Sequence, residues 1–200
     1  MKRSDVLTAF ITLLLVAPGA AQAHLVNSGL GPFYDGALHL LLSPGDLLGL
    51  VAAALLAGQQ GARAARLMVI ALPMSWLLAG MLAMRLPISL DLSWLSVSSF
   101  MMLGLLVAAD TRLPAVAVAA LGWVYGALHG LLNGSALAAM GAGFSTLFGI
   151  VLTAMLLAIL ITAVLLPERA PWIRVSVRVM GSWVVAVGML MLGWLAQGVA

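Results

Sequence analysis

Six long apolar stretches, at about 36–58, 65–84, 92–109, 113–133, 143–166 and 175–197, dominate this chain. Each is close to the ~20 residues that a helix needs to cross the hydrocarbon core of a bilayer. Lipid offers no partner for backbone N–H and C=O groups, so a spanning segment must bond within itself, as a helix does. The sequence therefore predicts an all-α fold, a polytopic membrane bundle of six transmembrane helices. Composition agrees: 64% of residues are hydrophobic and 8% charged, where a soluble domain carries about a quarter charged residues. No polar stretch is long enough for a separate soluble domain, so residues 24–200 read as one membrane domain.

The first 23 residues read differently. Lys2 and Arg3 precede an apolar run from Val6 to Val16, and Ala21-Gln22-Ala23 forms an A-x-A site. That is the pattern of a cleavable signal peptide, 1–23, with an uncleaved first anchor as the alternative reading. Cleavage makes His24 the mature N-terminus, facing the periplasm. Its amine, the next peptide nitrogen and its imidazole then lie close together, a set that suits nickel, copper or zinc.

Charge sets the orientation. With that N-terminus outside, Arg63, Arg66, Arg112, Arg169, Arg174 and Arg178 fall on the inner side and only Arg85 on the outer. The bias follows the positive-inside rule, and both mature termini face outward. The net charge of +3 is spread over segment ends and gives no sign of nucleic acid. Cysteine is absent, which excludes disulfides, thiolate ligands and cysteine nucleophiles. No Ser/His/Asp order and no HExxH motif appears, so an enzyme is not expected.

Ionisable groups within apolar segments are costly and mark candidate sites. Asp35 and His39, four residues apart, share one face of a helix, and Asp46 returns to it seven residues later. Ser43-Pro44-Gly45 lies between, and a proline there should break the first helix. Broken helices beside carboxylates are a recurring design for ion sites in transporters. The plainer readings are that Asp35 complements the helix dipole, that Asp46 caps the second half, and that His39 is a buried hydrogen-bonded histidine with Asp35 as partner.

On the fourth segment Tyr125, His129 and Asn133 share a stripe at i, i+4, i+8. Histidine is the candidate ligand, with Tyr125 and Asn133 orienting it; a hydrogen-bonded packing seam is the modest alternative. Gly122, Gly126, Gly130 and Gly134 recur at every fourth position, a small-residue stripe that lets another helix approach closely.

These residues resemble the HupE/UreJ family of small membrane proteins along essentially the whole chain. The carriers are a leader ending before His24, the first-helix run His39-Leu40-Leu41-Leu42-Ser43-Pro44-Gly45-Asp46, and the later run His129-Gly130-Leu131-Leu132-Asn133-Gly134. The family's usual first signature sets histidine and aspartate one residue closer and follows the aspartate with histidine, where this chain has Leu47. Its second usually carries another histidine, where this chain has Asn133. The resemblance implies a permease of the bacterial inner membrane for nickel or cobalt, with no permanently bound cofactor. The metal-site candidates are His24, Asp35, His39, Asp46 and His129. A non-transporting membrane metal-binding or accessory protein for metalloenzyme assembly is the alternative. Implied partners are the divalent ion, the lipid bilayer, a second copy of the chain, or metalloenzyme-maturation proteins.

Overall fold

The computed structural model describes residues 28–86, 92–166 and 170–198. The expected signal peptide, its cleavage site and His24 lie outside the described residues, as do Asp91 and Arg169. Among the described residues the secondary structure is all helical. The helices are α1 Pro32–Leu42, α2 Pro44–Gln60, α3 Ala62–Ala83, α4 Ser93–Ala108, α5 Ala115–Ala139, α6 Phe144–Leu165 and α7 Pro171–Ala196. Each of the six apolar stretches is thus helical, and the first is divided in two.

The division falls at Ser43. Proline disfavours helical backbone in the residue before it, and Ser43 is extended at φ −90°, ψ 101°. Pro44 then opens α2 within its first turn, where its missing N–H costs nothing. The two helix axes meet at 75°. The break expected near Pro44 is therefore present, and it changes the direction of the chain sharply.

By length and composition α3, α5, α6 and α7 can each cross a membrane, and the bent pair α1–α2 passes the same test together. α4 is apolar but has only 16 residues, about 24 Å of helix against a core of about 30 Å. The protein is a multi-pass helical membrane bundle. Four helices meet the length criterion, with the bent pair as a fifth if it is one span, against the six spans expected.

α2 lies at the centre. Every residue from Ala52 to Gln59 is buried, and α2 packs against α3, α4, α5, α6 and α7 as well as α1. Around it the helices pair through small residues. On α5 a Cβ at Gly126 or Gly130 would collide with the backbone carbonyls of Leu72 or Trp76 on α3, and one at Gly134 with that of Gly80. The glycine stripe is the seam where α3 and α5 touch backbone to backbone, as the four-residue repeat predicts. α1 meets α6 in the same way, Gly36 against Thr146 and Gly149 against Phe33.

One end of the bundle gathers the described basic residues other than Arg85, which follows the far end of α3. Gln60 at the end of α2 donates to the Thr111 carbonyl at 2.8 Å and accepts from the Leu113 N–H at 3.1 Å. Arg178 donates to the Ala108 carbonyl at 2.9 Å, and Arg174 lies 3.9 Å from Asp110. Arg63 and Arg66 are in the first turns of α3, beside Gln60. The start of α4 and the end of α5 are at the opposite end.

Candidate functional site

His129 is the fifteenth residue of α5, about 21 Å along the helix from its arginine-side start. That depth is well inside the bundle, and the ring is 1% exposed. Its Nδ1 lies 2.5 Å from Asp46 Oδ1. Asp46 stands in the first turn of α2, immediately after the break. There the unpaired N–H groups of the turn favour a negative charge. The residue at the cap position is Ser43, so the capping role considered for Asp46 is not what its side chain does. Both its oxygens are turned to α5, Oδ2 accepting from Asn133 Nδ2 at 3.1 Å.

Asn133 links the halves. Its Nδ2 also donates to the His129 carbonyl one turn back, at 2.9 Å. Its Oδ1 lies 2.9 Å from His39 Nε2 on α1. His39 Nε2 is also 3.4 Å from Ser43 Oγ and 4.0 Å from Asp46 Oδ2. His39, Asp46, His129 and Asn133 are all buried, so one connected polar network joins α1, α2 and α5 in an otherwise apolar interior. In such surroundings each polar group left without a partner would cost about 1–3 kcal/mol, which is why the network is closed.

Aromatic side chains wall it in. Tyr125 stacks on His129 with ring centroids 4.1 Å apart, and Trp76 packs against both rings. The Tyr125 hydroxyl donates toward the carbonyls of Gly45 at 3.2 Å and Asp46 at 2.9 Å. Tyr125 thus fixes the start of α2 as well as the face of the imidazole. The Trp76 Nε1–H is buried and has no acceptor among the described residues.

The sequence-derived candidates separate into three groups. His39, Asp46 and His129 come together. Asp35 does not join them: both the backbone N–H and the hydroxyl of Ser28 donate to its Oδ1, at 2.7 and 2.5 Å. The partner expected for His39 was Asp35; the partner it has is Asn133. The reason is local, since Asp35 sits in the first turn of α1 beside the chain that enters it. His24 lies outside the described residues. Asn133, expected to orient a ligand or to belong to a hydrogen-bonded packing seam, holds the centre of the network and bonds across to α1 and α2.

Two residues were not anticipated. Ser99 on α4 places its hydroxyl 3.2 Å from His129 Nε2, and Ser43 approaches His39 from the break. Four serines within Ser93–Ser99 of an apolar helix were the available signal. Asp46, His129 and Ser99 form a line of carboxylate, imidazole and hydroxyl, although the linear sequence shows no such order. Among the described residues no three His, Cys, Asp or Glu side chains stand in an arrangement that could hold a metal ion on their own.

Comparison with curated proteins finds no match, and comparison with solved structures finds none. The sequence model described as HupE / UreJ protein matches residues 12–191, nearly the whole chain, and the protein belongs to that family.

Proposed function

We propose that this protein is a permease for a divalent transition-metal ion, nickel or cobalt, which crosses the bundle through the polar core of His39, Asp46 and His129. The observation that carries the reading is the position of Asp46. A buried carboxylate at a helix break stands between two imidazoles from separate helices, 2.5 and 4.0 Å away. Imidazole nitrogen with carboxylate oxygen suits a borderline metal better than a hard one, and Asp46 offsets part of the ion's charge. A conducting site must also release its ion, so few protein donors and retained water suit passage.

The family supports the same direction, being one of membrane transport and accessory proteins associated with nickel and cobalt rather than of enzymes. In this reading the bundle lies in the inner membrane with its arginine-rich end inward. His24 captures the ion at the outer face, and Asp35 lies on the outer approach. Uptake of radioactive nickel or cobalt into cells and reconstituted vesicles is the test. His39→Ala and His129→Ala should each abolish accumulation while the protein still inserts; wild-type accumulation in both variants rejects the site.

A second reading, a metal-binding accessory protein that moves nothing, is favoured by one observation: the donors of the core already bond one another. Binding of nickel without time-dependent accumulation in vesicles would select it.

A further inference from the structure

A line of bonds leaves the core on the far side of His129, and the permease reading above does not use it. Asn133 decides where the protons are. Its Nδ2 faces two acceptors, the Asp46 carboxylate and the His129 carbonyl, so Oδ1 is the atom turned toward His39. Each oxygen of Asp46 meets a nitrogen, Asn133 Nδ2 or His129 Nδ1. A carboxylate only accepts, so His129 carries a proton on Nδ1, and in the neutral ring, the form that binds a metal, the lone pair is on Nε2. That lone pair faces Ser99 Oγ. An imidazole whose second nitrogen donates to a carboxylate is oriented as metal-binding histidines are.

Ser99 has one hydroxyl proton and two acceptors for it. The Ser96 carbonyl lies at 2.7 Å and His129 Nε2 at 3.2 Å. A metal bonded to imidazole sits about 2.0–2.1 Å from nitrogen and about as far from an oxygen ligand, so two donors 3.2 Å apart can share an ion that lies to the side of the line between them and displaces that proton. Rotating the hydroxyl onto the Ser96 carbonyl turns its lone pairs toward the ion without moving a heavy atom. Ser93, Ser96 and Ser99 follow one face of α4 at intervals of three, from the end away from the arginines. Ser96 Oγ lies beside Gly45, at the start of α2.

We infer that the ion reaches the core along this serine face of α4. His129 Nε2 and Ser99 Oγ are the first donors it meets within the core, and Asp46 positions the ring from behind. The inference rests on the metal-permease reading. Full-length protein in detergent, titrated with Co2+ and followed by its visible absorption spectrum, tests it. Ser99→Ala should weaken Co2+ binding about tenfold and alter the cobalt spectrum, and Ser99→Thr, which keeps the hydroxyl, should restore both. Ser99→Cys should add a sulfur-to-cobalt charge-transfer band, which a structural role for Ser99 would not produce. Wild-type affinity in Ser99→Ala, with no such band in Ser99→Cys, overturns the assignment of Ser99 and leaves the permease reading standing. Absence of both Co2+ and Ni2+ binding by the wild-type protein overturns both.

Discussion

Asp46 and His129 are 83 residues apart in the chain, and their side chains meet at 2.5 Å in the middle of the bundle. The contact joins the start of the central helix to the middle of α5. Its surroundings make it directional: Tyr125 covers the imidazole face, Asn133 takes the second carboxylate oxygen, and Ser99 faces the far nitrogen.

Asp46→Asn separates charge from shape. The amide keeps the volume but removes the negative charge, and a charged hydrogen bond of this kind contributes about 1.5–3 kcal/mol. Metal uptake should be lost and the thermal midpoint in detergent lowered, with the protein still monodisperse. Retained uptake would mean that the carboxylate serves only the fold.

Replacing Asn133 tests the bridge. Asn133→Ala leaves His39 without its partner on α5 and should cut uptake at least tenfold. Asn133→His puts an imidazole beside Asp46 and should tighten Ni2+ binding measured by calorimetry. Unchanged uptake in Asn133→Ala together with unchanged affinity in Asn133→His would show that position 133 does not see the ion.

Tyr125→Phe preserves the stack on His129 and deletes only the hydroxyl. The carbonyls of Gly45 and Asp46 lie in the helical turn of α2, so the expected loss is about one hydrogen bond, roughly 1 kcal/mol. Thermal unfolding should show that small drop; a collapse of the fold would mean that the hydroxyl has a larger role at the break.

The glycine seam gives a sharper contrast. At Gly130 an added Cβ meets the Trp76 backbone, which cannot give way, whereas at Gly143 it meets nothing within 4 Å. Gly130→Val should destabilise by about 1–3 kcal/mol or more, and Gly143→Ala should stay within about 0.5 kcal/mol. Melting curves of the two proteins check the ranking.

The chain contains no cysteine, so single introduced thiols report topology without background. Arg63→Cys and Arg112→Cys should react with a membrane-impermeant maleimide only from the cytoplasmic side, and Met140→Cys only from the outer side. Labelling of Arg63→Cys and Arg112→Cys from the outer side would overturn the orientation derived from the arginines.

Much of the architecture was legible because lipid removes alternatives. An apolar stretch of about 20 residues in a bilayer has to satisfy its own backbone, so segments, helix type and the Pro44 break follow from local chemistry. The glycine repeat likewise announced a close helix contact, though not that α3 would supply it. The site was only half legible. His39, Asp46 and His129 stood out as costly groups in apolar segments, but Asp35 was matched to His39 by helical spacing alone. Ser28, seven residues upstream, takes the Asp35 carboxylate instead, and nothing in the spacing forbids that. The serine cluster of α4 did not single out Ser99, because a hydroxyl on an apolar helix more often bonds its own backbone.

The sequence by itself determined that this chain is a helical membrane bundle broken near Pro44, with ionisable groups that require partners inside it. Tertiary structure alone decided who those partners are: Asn133 rather than Asp35 for His39, and Asp46 and Ser99 on opposite nitrogens of His129. The physical reason is range. Hydropathy and proline act within a few residues, whereas a buried hydrogen bond depends on which helices the glycine seams bring into contact.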